Sequence, residues 1–147
     1  MTNCNIYYAR QTYFKTGKIP SRSELHKALG TKNRNLQYKT FYSDNAQQIL
    51  TMVAESFKSC VGLLKGIKEG AVIQRPRLPN YRQDGMALVT YTGRSVKQKK
   101  GLVKWTLGSQ LKAWFGLDAF YLPKPSNLYY KVIIEYKILP INRQLYI

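Results

Sequence analysis

Acidic residues are scarce in this chain. Seven Asp and Glu stand against twenty-four Lys and Arg, a formal net charge of +17 over 147 residues. The shortage bears first on chemistry. Two-metal phosphodiester cleavage needs carboxylates gathered around a divalent ion. Here Glu24, Asp44, Glu55, Glu69, Asp84, Asp118 and Glu135 are scattered, and no motif pairs them. Histidine is scarcer still. His26 stands alone, with no nucleophile or orienting partner near it in sequence, and reads as a surface residue of a short helix rather than a general base. Cys4 and Cys60 are the only cysteines, too few and too far apart for the four ligands of a structural zinc site. A glycine-rich phosphate loop of the Walker type is missing. On chemistry alone the chain is a binding module and not an enzyme, with no cofactor and no small-molecule substrate.

Long apolar runs are also missing. None approaches the roughly 20 residues of a membrane span. Met1 to Asn5 has no charged segment leading into an apolar stretch, so no secretion signal is expected. With so little cysteine, the expected compartment is the reducing cytoplasm, and no membrane partner is expected.

Positive charge, by contrast, is spread along the chain. It recurs at Lys58, Lys65 and Lys68, at Arg75, Arg77 and Arg82, and at Arg94, Lys97, Lys99, Lys100 and Lys104. A folded domain this basic repels itself unless a polyanion neutralises it, and a phosphate backbone does so with release of condensed counterions. Nucleic acid is therefore the expected partner. Apolar residues make up 44%, enough to bury a core. Twelve of the aromatic residues are Tyr, a side chain that can stack while its hydroxyl bonds water or phosphate.

The periodicity is helical before about residue 80 and strand-like after it, which predicts an α+β chain with a helical lobe over 1–82 and a β lobe over 83–147. The clearest helix is expected from Asp44 to Lys65. Ala46, Ile49, Leu50, Val53, Ala54, Phe57, Cys60, Val61 and Leu64 form one apolar stripe. Asp44 and Gln47 read as its cap, and Gly66 as its stop. Lys58 and Lys65 on its polar side suit both the helix dipole and a phosphate. Ser21 and Glu24 form a capping box for a helix over Arg22–Leu29, ended by Gly30. Residues 5–15 read as a third helix, with Ile6, Ala9, Arg10, Tyr13 and Phe14 at helical spacing, against the alternative of a strand that their aromatic content allows. Residues 31–42 read as a polar connection docked by Tyr38, Phe41 and Tyr42.

From Lys65 to Arg82 prolines and glycines rule out regular structure. Arg75, Arg77 and Arg82 cluster there around Tyr81. Guanidinium forks fit phosphate and lie flat on bases, so this segment and Lys68 before it are candidate contacts, against the plainer reading of a solvated loop. Strands are expected at 87–92, 95–98, 102–107, 119–122, 130–139 and 143–147, with a helical turn at 109–115. In the fifth strand Val132, Ile134 and Tyr136 are expected to face one way. The chain ends on Gln-Leu-Tyr-Ile within the last strand, which reads as a truncated end.

The stretch from Asn5 to Gly108 resembles the N-terminal part of the TnpB (OrfB) family, the RNA-guided nucleases of bacterial insertion sequences and relatives of type V CRISPR effectors. The likeness rests on the helix Asp44-Asn-Ala-Gln-Gln-Ile-Leu-Thr-Met-Val-Ala-Glu-Ser-Phe-Lys-Ser, similar to the family's Ala-Gln-Gln helix ending in Ala-Phe-Lys-Ser. It rests also on the loop Arg75-Pro-Arg-Leu-Pro-Asn-Tyr-Arg-Gln-Asp-Gly, and on the hairpin around Leu102 to Gly108. The resemblance implies a helical recognition lobe and a small antiparallel, β-barrel-like wedge lobe, which clasp guide RNA and target DNA. It puts Gln47, Gln48, Lys58 and the Arg75 to Arg82 loop near nucleic acid. The family's RuvC-like domain, with its Gly-Ile-Asp-Leu-Gly strand, has no counterpart in this sequence, and the family's usual opening strand and helix before Asn5 are missing too. The resemblance thus implies a truncated, non-catalytic transposon-encoded fragment that binds nucleic acid. Two alternatives stand beside it. One is a protein-interaction subunit that assembles with a separately encoded nuclease half. The other is a small metal-dependent nuclease built on Asp84, Asp118 or Glu135.

Overall fold

Short-range signals set most of the helices. In the computed structural model, which describes residues 1–30, 36–71, 74–83, 86–99, 101–129, 131–141 and 144–146, α1 spans Thr2–Thr16 and ends on Gly17, whose φ of 68° is left-handed. Its amide donates to the Tyr13 carbonyl at 2.8 Å, a closure that only glycine adopts without steric cost. The helix α2 (Arg22–Leu29) has the expected capping box, the Ser21 hydroxyl taking the Glu24 amide while the Glu24 carboxylate takes the Ser21 amide. The Ser21 amide and hydroxyl both donate to the Glu24 carboxylate, at 2.7 and 2.8 Å, and hold it below its usual range. A short α3 (Leu36–Thr40) buries Tyr38, as expected of the connection's aromatics, whereas residues 31–35 lie outside the described residues. The long α4 spans Ser43–Lys68.

Two details of α4 differ from expectation. Gly66 does not end it. The stop comes at Gly70, with φ 75°, where the Gly70 amide donates to Ile67 and the Ala71 amide to Gly66. That pair of bonds is a Schellman closure, and a closure needs its glycine in the left-handed region rather than merely near the helix end. Asp44 does not act as the cap either. Ser43 already lies within the helix, and the Asp44 carboxylate accepts from the Thr92 hydroxyl.

The strands are β1 (Val89–Thr92), β2 (Val96–Lys99), β3 (Leu102–Thr106), β4 (Ala119–Pro123), β5 (Glu135–Ile141) and β6 (Gln144–Tyr146), with α5 (Ser109–Phe115) between β3 and β4. All described pairings are antiparallel, in two three-stranded sheets ordered β1-β5-β6 and β2-β3-β4. The chain is thus mixed α and β. Among the described residues the strands pair as two separate sheets and not as one closed barrel.

Contacts divide the chain into two units. The first holds Met1–Asn33 and Ile49–Met86, the second Arg34–Gln48 and Ala87–Ile147. In the first, Leu25, Leu50 and Phe57 are fully buried, joined by Ile6, Ala9, Ile49, Val53 and Cys60. The α4 residues among them belong to the stripe expected from the sequence, whose Ala54, Val61 and Leu64 are only half-buried.

In the second unit the sheets meet through aromatic rings. Trp105 of β3 lies edge-on to Tyr91 and Tyr136, at centroid distances of 4.6 and 5.2 Å. The two tyrosines face each other across the β1–β5 ladder. Val96, Val103 and Ile138 complete this core. The first turn of α4 is tied to the edge strand β1, where the buried Asn45 amide donates to the Thr90 carbonyl at 2.8 Å. Gly108, just before α5, has the Thr40, Phe41 and Lys39 carbonyls within 2.6 Å of where a Cβ would stand. The backbone approach behind α3 therefore requires glycine.

The fifth strand begins later than expected, at Glu135. Before it, Val132 and Ile134 are exposed at 87% and 79%, so they do not share a buried face with Tyr136. The cause is a side chain acting as a strand partner. The Gln98 amide donates to the Ile133 carbonyl at 2.6 Å and accepts from the Ile133 amide at 3.4 Å, which occupies the groups a ladder would use.

Candidate nucleic-acid interface

In the first unit the Arg75 to Arg82 segment has no regular structure but is fastened by its backbone. Pro76 and Pro79 supply no N–H, so the remaining groups carry the attachment. The Asn3 side chain brackets Arg82, donating to its carbonyl at 3.0 Å and accepting from its amide at 2.9 Å. The Arg10 guanidinium donates to the Pro79 carbonyl at 3.0 Å, and the Cys60 thiol to the Arg77 carbonyl at 3.4 Å. With main-chain atoms making the attachments, the Arg75, Arg77 and Arg82 side chains stay exposed.

Between α1, α4 and this segment lies an open cleft of about 540 Å³, lined by Arg10, Tyr13 and Phe14 of α1, Leu64 of α4, and Arg75 and Arg77 of the segment. Among the described residues no acidic side chain lines it. The Arg10 guanidinium stands 5.5 Å from the Phe14 ring and 5.7 Å from the Tyr81 ring, within the range of cation–π attraction. Lys68 follows Leu64 by four residues and so shares its helix face. Lys58, Lys65 and Lys68 are all exposed on α4.

In the second unit the β2-β3-β4 sheet has a cationic outer face. Register places Lys97 opposite Lys104, which in turn faces Tyr121, and Lys99 opposite Leu102. Residues directly opposite share a sheet face, so Lys97, Lys99, Lys104 and Tyr121 stand together on the side away from Trp105. Tyr121 is 60% exposed, and the Lys104 ammonium lies 5.8 Å from its ring centre. Like charges directly across a ladder repel, and an anion bound to this face would relieve that repulsion.

The expected site residues thus fall into sets. Arg75, Arg77, Tyr81 and Arg82 are on one fastened segment, and Lys97, Lys99 and Lys104 on one sheet face. Arg94 is exposed in the β1–β2 turn, while Gln47 and Gln48 are half-buried at the start of α4. Lys100 lies outside the described residues. Sequence reasoning did not single out Arg10, Phe14 or Tyr121 as contacts. The signal for the first two was an arginine set among aromatics at helical spacing, which reads equally as an apolar face. Tyr121 became visible only through register.

The acidic residues mostly have local partners. Asp118 pairs with Lys112 at 3.0 Å, and that bond, with a smaller contribution from Lys104, holds its carboxyl below the usual range. Glu135 pairs with Lys137 at 2.8 Å. Asp84 lies outside the described residues. Among the described residues no three His, Cys, Asp or Glu side chains gather where they could hold a metal ion, and no helix is long and apolar enough to cross a membrane. No protein-family model, no curated protein and no solved structure matches the chain.

Proposed function

We propose that this chain is a non-catalytic nucleic-acid-binding protein, similar in role to the recognition and wedge parts of the TnpB family, with guide RNA and target DNA as its partners. The observation that carries the reading is the Arg75 to Arg82 segment, fastened by its main chain with its guanidiniums left to solvent. A loop that served only to connect would not need its backbone held at Asn3, Arg10 and Cys60. A main chain already fastened loses less entropy when its guanidiniums take a phosphate. The lysine face of β2 and β3 supports the same reading, as does the dispersal of the few carboxylates into ion pairs and caps. On this reading the two sheets joined through Trp105 form a barrel-like wedge lobe, and the protein acts in the cytoplasm.

The test is binding of a structured RNA by the chain and by the triple variant Arg75→Gln, Arg77→Gln, Arg82→Gln. None of these side chains makes the bonds that fasten the segment, so the fold is retained. Affinity is expected to fall by about tenfold or more at moderate salt, as the loss of two or three phosphate contacts requires. Equal affinity would contradict the reading.

A second reading, an interaction subunit for a separately encoded nuclease half, is favoured by apolar side chains exposed on the second unit. Trp114 and Phe115 of α5 are 57% and 62% exposed, in addition to Val132 and Ile134. Absence of RNA binding together with self-association in sedimentation would favour it over the first.

A further inference from the structure

We infer that the cleft of the first unit takes an unpaired nucleotide of a single strand, with its base stacked on the aromatic wall and its phosphates on Arg75 and Arg77. The inference rests on the nucleic-acid reading and narrows it. Four observations carry it. First, the cleft of about 540 Å³ falls in the size range of small-molecule pockets. It can admit one nucleotide but not a duplex, whose grooves and backbone span a far larger surface. Second, among the described residues its lining is cationic without a carboxylate. No hydrogen bond or ion pair among the described residues holds the Arg75 or Arg77 side chain, so both are available to an anion. Third, Arg10 is already committed. Its bond to the Pro79 carbonyl fixes it near both rings, making it part of the wall rather than a mobile phosphate ligand.

Fourth, the Phe14 ring of the lining remains open to solvent at 60% exposure, and so does the Tyr81 ring, which stands beside Arg10 without itself lining the cleft, at 42%. A base within a duplex has both faces covered by its neighbours, so an exposed ring gains nothing from it. An unstacked base offers a free face, which is why aromatic and guanidinium planes recognise single strands. An aromatic–arginine lining that also holds two available arginines therefore matches a base with its flanking phosphates.

The test compares equilibrium binding of the full chain to an unpaired RNA oligonucleotide, an unpaired DNA oligonucleotide of the same sequence, and a fully paired hairpin of the same nucleotide count closed by a non-nucleotide linker in place of a loop, at one moderate salt concentration. At least one single strand is expected to bind tighter than the hairpin. The two sugars distinguish RNA from DNA as the ligand. Phe14→Leu and Tyr81→Leu keep an apolar side chain at exposed positions. Each is expected to weaken single-strand binding roughly 5- to 100-fold, the span of one lost base stack, with hairpin binding almost unchanged. A single strand carrying 5-iodouracil should also photo-cross-link to Phe14 or Tyr81, a readout that needs no variant. Hairpin binding equal to or tighter than both single strands, or leucine variants that bind single strands normally, would overturn this inference and leave the nucleic-acid reading standing. Failure to bind any of the three would overturn both.

Discussion

Tyr91 shows how one side chain couples the core to solution conditions. Its ring packs edge-on to Trp105, and burial raises its phenol above the ordinary value, because the phenolate would lose hydration against an indole. Burial acts on Tyr136 in the same sense. In the unfolded chain a phenol ionises near pH 10, and in the folded chain it ionises later. The stability from the neutral ring is therefore complete below about pH 10 and is lost as pH rises toward the folded value. Phe at this position keeps the ring and removes the ionisation. Chemical denaturation of Tyr91→Phe and the unaltered chain from about pH 9 to 11 should show the variant losing less stability across that interval. Parallel curves would contradict the assignment. Single-residue roles of this kind were only partly legible in the sequence. Asn3 and Arg10 meet their partners 79 and 69 positions away, and no local spacing encodes such a pairing. Ser21 and Glu24, three apart, were legible for the opposite reason.

At the scale of elements, signals confined to a few residues were accurate for α2 and α5 but not at the ends of α4, where neither Asp44 nor Gly66 plays the expected part, and signals that needed tertiary partners were missed. The span of α2 follows from its capping box. That of α5 follows from the glycines around it, with Gly116 at φ 65° closing its end. The start of β5 was not legible, since Val132 to Ile134 alternate like a strand and only the Gln98 amide shows that their backbone is held elsewhere. The lysine face of β2 and β3 was half legible. Each lysine was visible, but register alone puts Lys97 directly across from Lys104. That juxtaposition separates folding from binding. Lys97→Glu replaces a repulsive cross-strand pair by an attractive one and should stabilise the fold by roughly 0.2–1 kcal/mol. It should also weaken polyanion binding, because it puts a negative charge on the proposed phosphate face. Thermal denaturation at low salt and RNA binding at moderate salt check the two halves. A variant that is no more stable, or that binds RNA as well as the unaltered chain, would count against this account of the face.

For the molecule as a whole the governing quantity is the formal charge of +17. The acidic residues are too few to offset it, and Asp118 and Glu135 are already engaged with Lys112 and Lys137. Each unit carries its own exposed cations: the arginine segment with the end of α4 in the first, the outer sheet face in the second. The composition made the charge excess legible, because charge density needs no fold to be counted. It could not locate the arginine cleft, which exists only where α1 and the Arg75 to Arg82 segment come together. The central claim is that these surfaces take phosphates, and counterion release gives it a direct measure. The equilibrium constant for RNA should be measured from low to moderate salt. The account predicts a straight line of log affinity against log salt with a slope of about −3 or steeper, as four or more phosphate contacts require. A slope near zero would contradict it.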